Sequence, residues 1–234
     1  MRYGSGYNYG FDVTYLLVLA GFLFCLIASA VVKSTMKKYS KIRCMSGITG
    51  AEAAMRILHN EGIYDVRVEC LSTEGGDHYA PDEKVVRLSP SNFHSASITA
   101  VGVAAHECGH AIQHSKGYLP LSARTAILPV ANIGSRAGIP IIMLGMFLSW
   151  NQFLITLGIW AFAFGVLFQI FTLPVEFNAS RRAVAKVEQY GLMTSEENRG
   201  CKKVLSAAAM TYVAATAAAI LQLLRLILLR NRRR

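Results

Sequence analysis

Charge is what this chain has least of. Of its 234 residues only 16% are Asp, Glu, Lys or Arg, and from Ala137 to Val175 there is none at all. Hydrophobic residues make up 53% and the mean hydropathy is +0.36. That balance excludes an ordinary soluble domain and points to a membrane protein. Acidic residues are the scarcer sign, 14 against 24 basic ones, for a net charge of +10. No nucleic-acid-binding motif accompanies this excess, so nucleic acid is not expected as a partner. The bases cluster beside apolar runs, at Lys33, Lys37, Lys38, Lys41 and Arg43, and at Arg225, Arg230, Arg232, Arg233 and Arg234. This is the pattern of cytoplasmic flanks in the positive-inside rule. Cysteine is also sparse: five scattered residues, an odd number, with no C-x-x-C pair. A disulfide framework is excluded and reduced thiols are expected. The apolar runs lack ionisable groups, which argues against a channel or transporter. No internal repeat or low-complexity linker interrupts the chain.

The long apolar runs organise what remains. Twenty uncharged residues lie between Asp12 and Lys33, enough to cross the ~30 Å hydrocarbon core. Arg2 precedes them and five bases follow, so residues 1–33 are expected to anchor the chain with the N-terminus outside. Ala28-Ser29-Ala30 resembles a signal-peptidase site, but the weak basic segment before the run and the bases after it argue against cleavage. The 39 uncharged residues from Ala137 to Val175 would make one helix ~58 Å long. A hairpin over 132–174 accommodates them better, with arms Asn132–Trp150 and Phe153–Leu173 and an interfacial turn at Trp150-Asn151-Gln152. Both hairpin ends then return to the same side. Residues 34–131 read as a cytosolic region and 175–203 as a helix and loop. Residues 204–234 form an apolar helix with a basic tail. The run Val204–Leu224 is long enough to span, but a fourth span sends the arginines outside, against the charge rule. A span, an interfacial helix and a helix folded back on the domain all remain open.

Within 34–131, Thr49-Gly50-Ala51-Glu52 is a capping box that predicts a helix ending between Asn60 and Gly62. Val66–Cys70 and Lys84–Leu88 read as strands, the latter offering an edge to an extended peptide. Between them, Gly75–Pro81 reads as turns. A long helix is predicted from a cap at Ser95 or Ser97 to Lys116-Gly117. It carries His106-Glu107-Cys108-Gly109-His110, an H-E-x-x-H element. Residues four apart share a helix face, so both imidazoles can hold one metal ion, and Glu107 points about 100° away. Two histidines holding zinc with a carboxylate beside it is the chemistry of metal-assisted hydrolysis. The alternative is a structural helix that buries a glutamate among apolar residues, which is costly without a role.

A catalytic zinc needs a third protein ligand. After His110 the acidic candidates are Glu176, Glu188, Glu196 and Glu197. Glu176 stands out because it follows the second hairpin arm by a few residues, though a charge favoured by a helix N-terminus is its bland reading. His114, one turn beyond His110, drifts off the ligand face, and Cys108 lies about 160° from either histidine. His78 is a substrate-side or oxyanion-stabilising candidate, or else a solvated turn residue. Arg181 and Arg182 either position substrate or solvate their helix.

Ala105-His106-Glu107-Cys108-Gly109-His110-Ala111-Ile112-Gln113 and Leu173-Pro174-Val175-Glu176-Phe177-Asn178-Ala179-Ser180-Arg181-Arg182-Ala183 resemble the two signatures of the bacterial membrane neutral zinc metallopeptidases, the YugP-like group. Gly76-Asp77-His78-Tyr79 with Pro81, and Val85–Ser89, add to a resemblance that covers nearly the whole chain. A more distant similarity is to the gluzincin membrane proteases of the CAAX prenyl protease and HtpX type, which place a membrane hairpin between H-E-x-x-H and the glutamate of an E-x-x-x-D helix. The resemblance implies a mainly α membrane protein with a small α+β zincin-like domain, and one Zn²⁺ held by His106, His110 and Glu176. It further implies Glu107 as general base and hydrolysis of a peptide or membrane-protein substrate. The site would face the cytosol at a bacterial-type cytoplasmic membrane. Ser180 stands where the relatives carry Asp, so the hydrogen bond of that Asp to a ligand is in question. A catalytically silent, zinc-stabilised membrane scaffold or chaperone is the rival reading. It has no need of Glu107.

Overall fold

The computed structural model describes residues 12–231. Arg2 and the bases Arg232, Arg233 and Arg234, which entered the orientation argument, lie outside the described residues. Seven helices and three strands follow in the order α1 (Tyr15–Tyr39), α2 (Gly50–Asn60), β1 (Arg67–Cys70), β2 (His78–Ala80), β3 (Val85–Leu88), α3 (Pro90–Phe93), α4 (Ile98–Ser115), α5 (Leu119–Phe147), α6 (Gln152–Gln189) and α7 (Ser195–Asn231). Four of them, α1, α5, α6 and α7, are long and apolar enough to cross a membrane.

The two predicted caps form. Thr49 and Glu52 close the capping box of α2, and the Ser97 hydroxyl accepts the Ala100 amide at the start of α4. The sheet order is β1-β3-β2, with β1 parallel and β2 antiparallel to β3. This corrects two expectations. Residues 78–80, read as part of a turn, pair with β3 over Ala80↔Val85 and His78↔Arg87. The Lys84–Leu88 strand is therefore bonded on both sides and offers no edge; the edges are β1 and β2. A three-residue strand without alternation gives no signal of its own, and exists because β3 supplies a partner.

Helix α4 is the centre of the part that carries the sheet. Ala53, Ile57, Val86 and Leu88 cover one side of it, and Ala183, Val187, Cys201 and Leu205 the other. Glu61 ties three helices together at the rim. Its carboxylate accepts Lys116 Nζ (2.9 Å) and Tyr190 Oη (2.6 Å) and pairs with Lys186. Burial alone would raise its pKa, but those three donors outweigh it and hold the carboxyl near about 2.

The hairpin is longer than its uncharged run. It turns at 148–151, where Asn151 Oδ1 accepts the Phe153 and Leu154 amides. Its arms pack on small residues; a Cβ on Gly158 would lie 2.6 Å from Gly138 O. No break separates the second arm from the segment holding Glu176. Charge ends the apolar run at Glu176, but Val175, Ala179, Ala183 and Val187 continue a buried stripe four residues apart, so α6 runs on through Pro174. The boundaries expected near 132, 175 and 204 thus fall inside α5, α6 and α7. Helix α7 packs along α1 in antiparallel sense. Gly21 meets Ala218 at one end, Gly200 meets Tyr39 at the other, and Arg225 lies over the Tyr15 ring at 4.1 Å.

Candidate metal centre

The α4 and α6 helices approach at Gly109. A Cβ there would sit 2.6 Å from the Ala179 carbonyl oxygen, so only glycine permits this separation. The approach brings α6 side chains onto the histidine face. Glu176 Oε2 lies 3.4 Å from His106 Nε2 and 3.7 Å from His110 Nε2, and one ligand atom from each residue falls within 4.8 Å of the others. Tetrahedral zinc with bonds of ~2.0–2.1 Å sets its donors ~3.4 Å apart. The carboxylate is asymmetric. Oε1 accepts Arg124 Nη1 at 2.7 Å, whereas Oε2 is buried with no hydrogen-bond partner. An unsatisfied buried carboxylate oxygen is expensive, and a cation between it and the two imidazoles removes the cost.

The far ring nitrogens are also engaged. Gln113 donates from Nε2 to Val175 O (2.9 Å) and Asn178 Oδ1 (3.0 Å), which turns its Oε1 toward His110 Nδ1 at 3.0 Å. That oxygen can only accept, so in the neutral ring Nδ1 carries the proton and Nε2 keeps the lone pair that faces Glu176. Ser180 Oγ lies 3.2 Å from His106 Nδ1 and can accept in the same way. Burial alone would lower the His110 pKa, but the carboxylates of Glu176 and Glu107 outweigh it and raise it. The local field therefore favours positive charge between the rings.

Glu107 is almost buried, with 7% of its surface exposed. It lies on the wall of two cavities that meet at His106. One, of about 730 Å³, is bounded by Met36 and Lys37 of α1 and Leu205 and Ala208 of α7. The other, of about 320 Å³, is bounded by His78 and Tyr79 of β2 and by Arg124 of α5. His106, Glu107, Glu176, Asp77 and Tyr212 line both. Asp77 is occupied by the Ser89 amide and hydroxyl and by Asn92.

The remaining sequence candidates separate. His78 faces the smaller cavity, with Nδ1 2.6 Å from Gly76 O. Arg181 lines a different groove between α6 and α7 and neither cavity at the histidines. His114 pairs with Tyr79 Oη at 2.8 Å. Cys108 points to Ala54 O, and burial, then the Glu107 charge, push its thiol pKa far up, so it stays protonated. Three residues at the centre escaped the sequence reading: Gln113, Arg124 and Tyr212. Gln113 had a visible signal, an amide one turn past His110 in an apolar helix. Arg124 and Tyr212 had none, because tertiary packing alone brings α5 and α7 to the site.

Comparison with known proteins agrees with this chemistry. A family model described as "Putative neutral zinc metallopeptidase" matches residues 14–231. The chain is 48% identical over 198 residues to "Putative membrane protease YugP" of Bacillus subtilis (strain 168), covering 85% of this chain and 88% of that protein. No solved structure matches. With nearly every described residue inside the family match, the chain belongs to the neutral zinc metallopeptidase family.

Proposed function

We propose that the protein is a membrane-embedded zinc metallopeptidase that hydrolyses peptide bonds with Glu107 as general base. The observation that carries this is the orphaned Oε2 of Glu176 facing the two imidazole Nε2 atoms, beside a nearly buried carboxylate on the wall of two cavities. His106, His110 and Glu176 would hold one zinc ion in a zincin-like arrangement, and Arg124, Gln113 and Ser180 would orient those ligands. When bound, the ion supplies Lewis acidity to the water and to the scissile carbonyl. The Glu107 carboxylate takes the proton from the attacking water and delivers it to the leaving amine nitrogen. Tyr212, which lines both cavities from α7 and lies close to the Glu176 and Glu107 carboxylates, would donate its hydroxyl to the developing oxyanion. The free edge of β2 would pair with an extended substrate running from one cavity to the other.

The larger cavity is walled by ends of two candidate spans, which favours peptides near the membrane surface or segments of membrane proteins as substrates. The basic end of α1 supports a site facing the cytosol and an N-terminus outside. The test is Glu107→Gln in detergent-purified protein. Casein hydrolysis should fall by about 100-fold or more while bound zinc, measured by elemental analysis, is unchanged. Full activity would remove Glu107 from its role. Glu176→Ala should lose zinc, and undiminished zinc would place the third ligand elsewhere.

A further inference from the structure

A second groove opens between α1 and the first half of α7, on the opposite side of α7 from the histidine cavities. It encloses about 600 Å³. Lys38 of α1 and Arg199, Lys202 and Lys203 of α7 line it, and no acidic residue does. None of these four bases forms a salt bridge among the described residues. Glu196 and Glu197 line the adjoining cavity with Lys38, Arg199 and Lys203, and Glu188 shares a groove with Lys202; the Glu197 oxygens accept the Met45 and Thr194 amides at 2.7 and 2.8 Å, and Glu188 Oε2 accepts Asn198 Nδ2 at 3.2 Å. The two helices are closely packed beside these bases, since a Cβ on Gly200 would meet the Tyr39 ring at 2.7 Å. The other end of the groove is apolar, with Val31 and Met210 exposed on two helices long and apolar enough to cross a membrane.

We propose that this groove binds an anionic phospholipid, with the headgroup phosphate among Lys38, Arg199, Lys202 and Lys203 and an acyl chain along Val31 and Met210. Four cations without a salt bridge, in a groove with no acidic lining, call for an anion, and the apolar end calls for a hydrocarbon tail on the same molecule. A soluble phosphate meets only the first requirement. Lipid bound there would neutralise the repulsion across the α1–α7 contact, whose other face walls the larger cavity. The site stands independently of any peptidase activity.

The experiment is native mass spectrometry of the full chain released from micelles containing equal phosphatidylglycerol and phosphatidylcholine of the same chain length. The wild type should retain one phosphatidylglycerol with about tenfold preference. The quadruple variant Lys38→Gln, Arg199→Gln, Lys202→Gln, Lys203→Gln should lose the preference. A charge-retaining variant with Lys38→Arg, Arg199→Lys, Lys202→Arg and Lys203→Arg should keep it, as should Lys33→Gln with Lys41→Gln outside the groove. Millimolar glycerol phosphate or inorganic phosphate should not displace the lipid. Equal retention of both lipids by the wild type, an undiminished preference in the quadruple glutamine variant, loss in the Lys33/Lys41 control or in the charge-retaining variant, or displacement by free phosphate would each overturn the assignment.

Discussion

Replacing Gln113 by leucine isolates the role of the hydrogen bonds behind the ligands. Gln113 is fully buried and makes three contacts: its Oε1 with His110 Nδ1, and its Nε2 with Val175 O and Asn178 Oδ1. Leucine fills most of the volume and makes none of them. Each net hydrogen bond is worth ~1 kcal/mol, so the metal-free protein should lose ~3 kcal/mol of stability. Zinc affinity should fall separately, because the His110 ring loses the acceptor that fixes its tautomer and plane. Removal of such a partner typically weakens metal binding ~10–100-fold, equivalent to ~1.4–2.7 kcal/mol. The two losses can be told apart with Gln113→Glu. That variant keeps an oxygen on His110 Nδ1 but removes both donors, so it should melt at lower temperature while holding zinc more tightly than Gln113→Leu does. Affinity is read by competition with a chromophoric chelator in detergent, and stability by thermal unfolding of the same samples after metal removal. A folded Gln113→Leu protein that binds zinc as the wild type does would refute the assignment of Gln113 as the residue that positions His110.

Three other changes probe separate parts of the site. Tyr212→Phe should lower kcat by about 100-fold with KM and bound zinc unchanged, the scale of a lost oxyanion donor; a change in KM alone would make Tyr212 a substrate-binding group. Gly109→Ala drives a Cβ into the Ala179 carbonyl at 2.6 Å, and overpacking against backbone costs ~1–3 kcal/mol. That exceeds the ~1 kcal/mol that alanine gains as a helix former, so the variant should be less stable and poorer in zinc; a more stable variant would show that α4 and α6 can move apart freely. Glu61 has a folded pKa depressed to about 2, so its contribution is complete above the unfolded value of ~4.3 and disappears as pH falls through that window. Glu61→Gln should lower the Tm at pH 7, with the difference from the wild type shrinking below about pH 4; a constant difference down to pH 2 would contradict the clamp.

The elements legible in the sequence were those whose cause is local. The capping box announces α2, and Ser97 with the glycine after Lys116 brackets α4, because both signals act within one turn. The hairpin turn was visible for the same reason, Asn151 being the polar point between two apolar runs. Helix lengths were not legible from those runs. An apolar run ends where a side chain gains a charge, whereas a helix ends where its backbone or its packing face fails. At Glu176 the charge arrives while the buried face of Val175, Ala179, Ala183 and Val187 persists, so α6 outlasts its hydrophobic signal by more than three turns. The expectation of an exposed edge at Lys84–Leu88 failed for a related reason. That strand had the stronger pattern because it is the central one, buried at Val85, Val86 and Leu88. The edge strand β2 has only three residues, none of them buried, and looks like a loop.

The donor set divides along the same line. His106 and His110 are set by the pitch of one helix, so their pairing could be read directly. Glu176 is 66 residues beyond His110 in sequence, yet its reach depends on a simple constraint: a hairpin returns the chain to the side it left. What sequence could not give is the precision of that return. Glu176 Oε2 reaches the imidazoles only because a glycine removes the one Cβ that would hold α6 away. Its rotation is then fixed by Arg124 from one helix, and the receiving rings by Gln113 and Ser180 from two others. Ser180 and Gln113 lie in segments that the sequence already marks, whereas Arg124 is an ordinary residue in its own segment, with no periodicity to mark it. Topology legible in sequence can thus bring a carboxylate to two histidines, while a residue such as Arg124 that aims it becomes visible only once the helices are packed.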